Sequence, residues 1–222
     1  MNQRVAAITT GISLTIMAVI GGYALGFALP SFYPLEEFAS YSEKMKDAIV
    51  LYKNMLSCIA IVIVLDLIVP YTTFVFFKDV DRKKASMSAI IRVIYTILFG
   101  LATLYLTKNL SYTYLTDSQI QYNFELFYKV WHLGLVLFGV HVFLLGILMK
   151  AHGNIPLYVS YTTLVAGVCY TVLHLLKLPS LSQPLAVFLE PFLVLPMALG
   201  ELSLAFWLLF KGGKVMQNPV IA

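Results

Sequence analysis

The chain has 222 residues, of which 60% are hydrophobic and only 12% charged, with a mean hydropathy of +0.85. About a quarter of the residues of a soluble domain are charged, so this balance excludes a soluble globular class and predicts an all-α polytopic membrane protein. The net charge of +4 is small and uneven across the loops, which excludes a nucleic-acid partner and makes the charge a report on topology.

Six apolar segments follow in chain order, at 5–29, 47–77, 83–107, 119–150, 155–177 and 183–211. Each is long enough to cross a hydrocarbon core ~30 Å thick, so residues 1–222 are expected to form a single transmembrane domain, a six-helix bundle with short loops. Segment one follows Arg4 without a small-residue cleavage site, which fits a retained helix better than a removed signal. Its "GGYALG" run sets Gly22 and Gly26 four apart, the spacing of a close helix–helix contact within the bundle. Segment two carries Pro70, an expected kink whose freed carbonyl a neighbouring helix must satisfy. Pro191 and Pro196 are the corresponding positions in segment six. "KDVDRKK" (78–84) and "AHGNIP" (151–156) are tight polar turns, and His152 in the second is given no role. Tyr128, Trp131 and Trp207 are read as interfacial anchors. Cys58 and Cys169 lie in apolar runs outside any redox or metal spacing and are read as small buried hydrophobes.

With the N-terminus in the cytoplasm, Arg4, Lys78, Arg82, Lys83, Lys84, Lys150, Lys211 and Lys214 all lie inside. The other face keeps Lys44, Lys46, Lys108 and Lys177, with Lys53 and Lys129 near helix ends. The positive-inside rule then predicts a multi-pass protein of the cell membrane with both termini cytoplasmic.

"GLVLFGVHVFLLGIL" (134–148), followed by "AGVCY" (166–170) and "GELSLAFWLLFKGG" (200–213), resembles the six-helix bacterial membrane family known as domain of unknown function 4386. "IIRVIYTIL" (90–98) resembles that family's arginine-bearing third helix. The resemblance covers most of 45–213, and the first helix shares only its apolar character. It implies a six-helix integral membrane protein and brings no activity. Arg92, His141, Gly200 and Glu201 fall on positions that match the family pattern, whereas His132 and His174 lie outside it.

Ionisable groups deep in a membrane cost free energy and by default mark function. Asp66, Arg92, His141 and Glu201 lie 9 to 11 residues from the cytoplasmic ends of their segments, roughly 14–17 Å at 1.5 Å per residue. Four segments thus place one such group each near the midplane. Arg92 is expected to pair with Asp66 or Glu201, with His141 as the titrating member. Tyr95 in segment three, and Thr163 and Tyr170 in segment five, belong to polar stripes at three- and four-residue spacing that should face one another. A second layer nearer the outside holds His132, His174 and Glu190. His132 and His141 are nine apart and point to opposite sides of segment four, so that segment needs helices on both sides and a site using both is disfavoured. Gly139 and Gly146 share the face of His132, and Gly134 that of His141, as positions of close helix approach.

The leading functional expectation is a midplane cluster that binds or passes a small ligand or protons. Two alternatives stand beside it. One is a metal-dependent hydrolase or haem protein, with zinc on His132, His174 and Glu190 or haem iron between the two histidines. The other is a structural accessory subunit whose network only fixes helix register. The expected partners are the lipid bilayer, a small molecule or proton, and a possible oligomer mate or membrane subunit. No cofactor is assigned.

Overall fold

The computed structural model describes residues 1–34, 40–178, 181 and 183–213, and these are built of helices and turns. Helix α1 (Gln3–Gly21) continues through a wide π turn (Gly22–Ala28) and a short 3-10 turn (Leu29–Ser31). A short α2 (Tyr41–Asp47) leads into α3 (Ile49–Phe77), α4 (Arg82–Lys108), α5 (Asp117–His152), α6 (Leu157–Leu176) and α7 (Gln183–Phe210). Six of these helices, all but α2, are long and apolar enough to cross a membrane. The chain is therefore an all-α, multi-pass membrane protein.

Local signals set the helix ends. The Asn2, Ser40 and Thr116 side chains accept the backbone N–H three residues on, satisfying donors that a helix start leaves orphaned. Gln119 returns the bond to the Thr116 amide, a reciprocal capping box. Asp81 caps α4 through the Lys84 amide, and the Lys84 side chain beside it holds the Asp81 carboxyl below its ordinary range. Gly153 ends α5 at φ +75°, a backbone region that side chains disfavour.

The spans pack in chain order, each on the one before and the one after, and α1 packs on α7 to close the ring. Arg4 locks this closure by donating to the carbonyls of Leu208, Leu209 and Gly212, so the start of α1 and the end of α7 meet at one end of the bundle. Gly11 sits so tightly on Ala205 and Leu209 that an added Cβ would meet backbone at 2.8 Å. Lys214, counted inside from sequence, lies outside the described residues.

Two apolar cores occupy the two ends of the ring. At the α2 end, Phe32, Tyr52, Met55, Phe99, Phe124 and Phe127 are fully buried together. At the Arg4 end Ala6, Phe76, Phe77, Leu148 and Leu208 pack. Between them, along α3, α4 and α5, come Asp66, Arg92 and His141, each 2% exposed or less.

The glycines of α5 behave as their spacing predicts. A Cβ on Gly139 would meet the Thr171 amide at 2.6 Å, one on Gly146 the Leu164 amide at 2.9 Å, and one on Gly134 the Tyr95 ring at 3.3 Å. The "GGYALG" expectation fails. A Cβ on Gly22 or Gly26 would meet nothing within 4 Å, because here the chain opens into the π turn and leaves α7. Two further corrections concern aromatic groups. Trp131 is an inner residue, stacked on Phe99 and tilted against Phe127, and not an interfacial anchor. His152, given no role from sequence, is the last residue of α5 and lies flat on Phe76 beside Trp207.

Candidate functional site

Four residues from three helices make a buried polar chain. Arg92 Nη2 donates to Asp66 Oδ1 at 2.5 Å, and Arg92 Nη1 reaches His141 Nε2 at 3.2 Å. Arginine can only donate, so Nε2 accepts and the ring proton sits on Nδ1. That N–H faces the Ser88 carbonyl oxygen at 2.9 Å, with the Ser88 hydroxyl at 2.8 Å. His141 is thus a neutral acceptor for Arg92, and the Asp66–Arg92 pair balances its own charge. The guanidinium also lies 5.2 Å from the centre of the Phe138 ring, a cation–π contact.

Pro70 shapes the Asp66 corner. Its missing amide leaves the Asp66 carbonyl without the usual helical donor, and the Thr96 hydroxyl of α4 approaches that oxygen at 3.3 Å while also bonding the Arg92 carbonyl at 2.9 Å. One helix-breaking residue on α3 is therefore compensated from α4, beside the ion pair.

The ring encloses a cavity of about 480 Å³ against this chain. Asp66, Arg92, Tyr95, Tyr170, His174 and Glu201 are among its lining residues, and Trp131, Leu135 and Phe138 form an α5 wall. Residues 131, 135 and 138 follow the four-then-three step of one helix face, a signal from which Trp131 and Phe138, missed as inner residues, could have been found. Met17, Gly22 and Gly26 border the cavity from the first helix, and Val194, Ala198 and Leu202 from α7. The π turn, a feature that recurs at functional sites, packs on α3. Gly22 and Ala198 are themselves exposed. The cavity therefore has a mouth in the side of the bundle, between the first and last spans, on the half away from the Arg4 closure.

Of the expected midplane four, Asp66, Arg92 and His141 are joined directly. Glu201 lines the same cavity but makes no ion pair among the described residues, and its Oε1 instead accepts the Tyr170 hydroxyl. Tyr95 of the α4 stripe and Tyr170 of the α6 stripe line one cavity. Phe138 stands between them, 4.9 Å from the Tyr95 ring and 4.9 Å from the Tyr170 ring. Thr163 does not reach the cavity lining; its hydroxyl turns back to the Val159 carbonyl and, more distantly, to that of Gly200.

In the outer layer His132 and His174 meet as expected, Nδ1 to Nδ1 at 3.1 Å with the rings stacked. Glu190 does not join them; its Oε1 takes the Lys177 ammonium at 2.5 Å. Lys177 follows the last turn of α6 and is within reach of the α7 face that carries Glu190, so the charge pair forms there in preference to a carboxylate–imidazole grouping. Among the described residues no three His, Cys, Asp or Glu side chains converge as one ligand set. As the nine-residue offset requires, His132 faces α6 and His141 faces α4.

A protein of Archaeoglobus fulgidus described as an uncharacterized protein is 25% identical over 159 residues, which cover 72% of this chain and 84% of the relative. No solved structure matches the chain. Residues 9–212 match the family described as Domain of unknown function (DUF4386), so the match takes in most of the first helix, which by its residues alone shared only apolarity. The chain belongs to that family of unknown function.

Proposed function

We propose that this protein binds a small amphipathic ligand in the cavity at the centre of its helix ring, taking it in from the lipid through the side mouth. The observation that carries the reading is the lining itself. Asp66, Arg92, Tyr95, Tyr170 and Glu201 share one 480 Å³ space with apolar walls, a volume in the usual range for small-molecule sites, which pair apolar walls with a few convergent polar groups. Arg92, held by Asp66 and His141, is a fixed part of the floor, and Glu201 and Tyr170 are the groups open to a ligand. Proton passage is the narrower form of the same idea, through Glu201 and Tyr170.

The charge distribution supports both termini in the cytoplasm of a cell membrane. Arg4, Lys78, Arg82, Lys83, Lys84, Lys150 and Lys211 gather at the end where α1 starts and α7 stops, and cationic loops stay inside. The mouth then lies in the outer half of the bilayer.

The test is mass spectrometry of the organic extract of protein purified in mild detergent, compared with an Ala198→Phe variant whose ring would fill the mouth. A molecule retained at roughly one per chain by the natural protein and depleted in the variant is the expected result. Identical extracts from both would contradict the reading.

The metal reading survives only in reduced form, on the contact of His132 Nδ1 with His174 Nδ1 at 3.1 Å. It requires stoichiometric zinc or iron that His174→Ala releases, checked by elemental analysis of protein purified without added metal or chelator. The accessory-subunit reading expects Glu201→Gln to change thermal stability and nothing else.

A further inference from the structure

Resting on the cavity reading, we infer that the ligand is an organic cation with an apolar body, and that Glu201 is its counter-ion. The inference comes from charge balance around the cavity. The charge of Arg92 is balanced by Asp66 on one terminal nitrogen, with His141 on the other and its face on Phe138, while its Nε is buried without a partner. An anionic ligand would have to compete with the Asp66 carboxylate for the charge of Arg92. Asp66 is likewise balanced. His141 is a neutral acceptor behind Arg92 and carries no charge to the cavity.

Glu201 differs from all three. It is partly exposed within the cavity, and among the described residues no cation lies within ion-pair reach of its carboxylate. The Tyr170 hydroxyl bonds Oε1, which orients the carboxylate without neutralising it. The surrounding rings complete the case. Trp131, Tyr95 and Tyr170 line the same cavity. Aromatic faces with one nearby carboxylate are the recurring recognition chemistry of ammonium groups, which they attract by cation–π interaction after desolvation. The apolar mouth formed by Leu25, Val194 and Leu202 accepts a hydrocarbon tail reaching in from the lipid. A quaternary or alkyl amine fits all of these features together, whereas a neutral or anionic molecule leaves the Glu201 carboxylate with the Tyr170 hydroxyl and no countercharge.

The experiment uses Trp131 as reporter, in the full-length chain with Trp207→Phe so that the cavity tryptophan alone emits. Hexyltrimethylammonium, hexanol and hexanesulfonate are titrated in turn, with equal chain length and different head charge. Saturable change of Trp131 emission is expected with the cation at a concentration about tenfold below that for hexanol, a factor comparable to one good charge contact. The sulfonate should be weakest. In Glu201→Gln the cation's advantage should fall to about twofold or less, with hexanol unchanged. Equal binding of hexanol and the cation to the natural side chains would leave the cavity reading standing and overturn the cation assignment. Preference for the sulfonate would overturn it too and make Arg92 the recognition group. No saturable response to any of the three would sink the cavity reading itself. The wild-type comparison decides the question even if Glu201→Gln fails to fold.

Discussion

At the residue scale the balance of charge decides what each side chain can do. Asp66 and Arg92 are buried together, so removing one strands the other. Asp66→Ala is therefore expected to destabilise the protein by about 3–5 kcal/mol, measured by reversible denaturation in mixed micelles, with part recovered when Arg92→Leu is added. A Tm unchanged by Asp66→Ala would contradict the pair. Thr96 provides a finer test. Thr96→Val should cost about 1 kcal/mol, the value of one internal hydrogen bond. The cost should shrink in a Pro70→Ala background, where a restored amide reaches the Asp66 carbonyl. Equal costs in both backgrounds would show that Thr96 acts elsewhere. Much of this was legible in sequence. The depth count put Asp66, Arg92, His141 and Glu201 at one level, and the nine-residue offset separated His132 from His141. The count could not choose between Asp66 and Glu201 as the partner of Arg92, because helix spacing fixes height along an axis and not rotation about it. For the same reason it could not foresee that Lys177, just past the end of α6, would take Glu190 from the histidines.

At the element scale, glycines with the same sequence look serve opposite ends. Gly139 and Gly167 let α5 and α6 cross with backbones nearly touching, where a Cβ on either would come within 2.8 Å of the other's carbonyl oxygen. Gly139→Ala should therefore cost about 1–3 kcal/mol through overpacking. Gly26→Ala has open space, and should be neutral or stabilising by up to about 1 kcal/mol through restricted chain entropy. Parallel thermal melts check the contrast, and equal losses at both positions would contradict the assignment of Gly26 to the mouth. A four-residue glycine spacing states only that a surface is flat. Whether a neighbour lies on that surface depends on the path of the next element, and here the π turn carries the chain onto α3 and away from α7. Nothing in "GGYALG" announces the wider turn. The α5 face of Trp131, Leu135 and Phe138 has a helical period in the sequence, yet the tryptophan's position near a segment end favours the anchor reading, and only the path of the neighbouring helices places it on the cavity.

At the scale of the whole molecule, the number of spans, their apolar character and their order follow from hydropathy and charge. Ring closure does not. It depends on Gly11 fitting against Ala205 and on Arg4 reaching carbonyls at and just past the end of α7, long-range contacts between the first and last spans. Arg4→Ala is expected to loosen this end and raise proteolysis near 208–213, while leaving the Asp66–Arg92 pair intact. Unchanged cleavage would show that the closure rests on apolar packing alone. Ring closure on one half and separation on the other make a vessel with a side entrance, and the functional account rests on that asymmetry.

The most direct test of this account is an experimental density map of the protein in a lipid nanodisc assembled from native membrane. The account predicts first and last spans parted at Gly22 and Ala198, with non-protein density in the cavity within about 3 Å of the Glu201 carboxylate, the reach of a hydrogen bond. It would be contradicted by α1 and α7 packed along their full length, the cavity closed, and Glu201 turned onto Arg92.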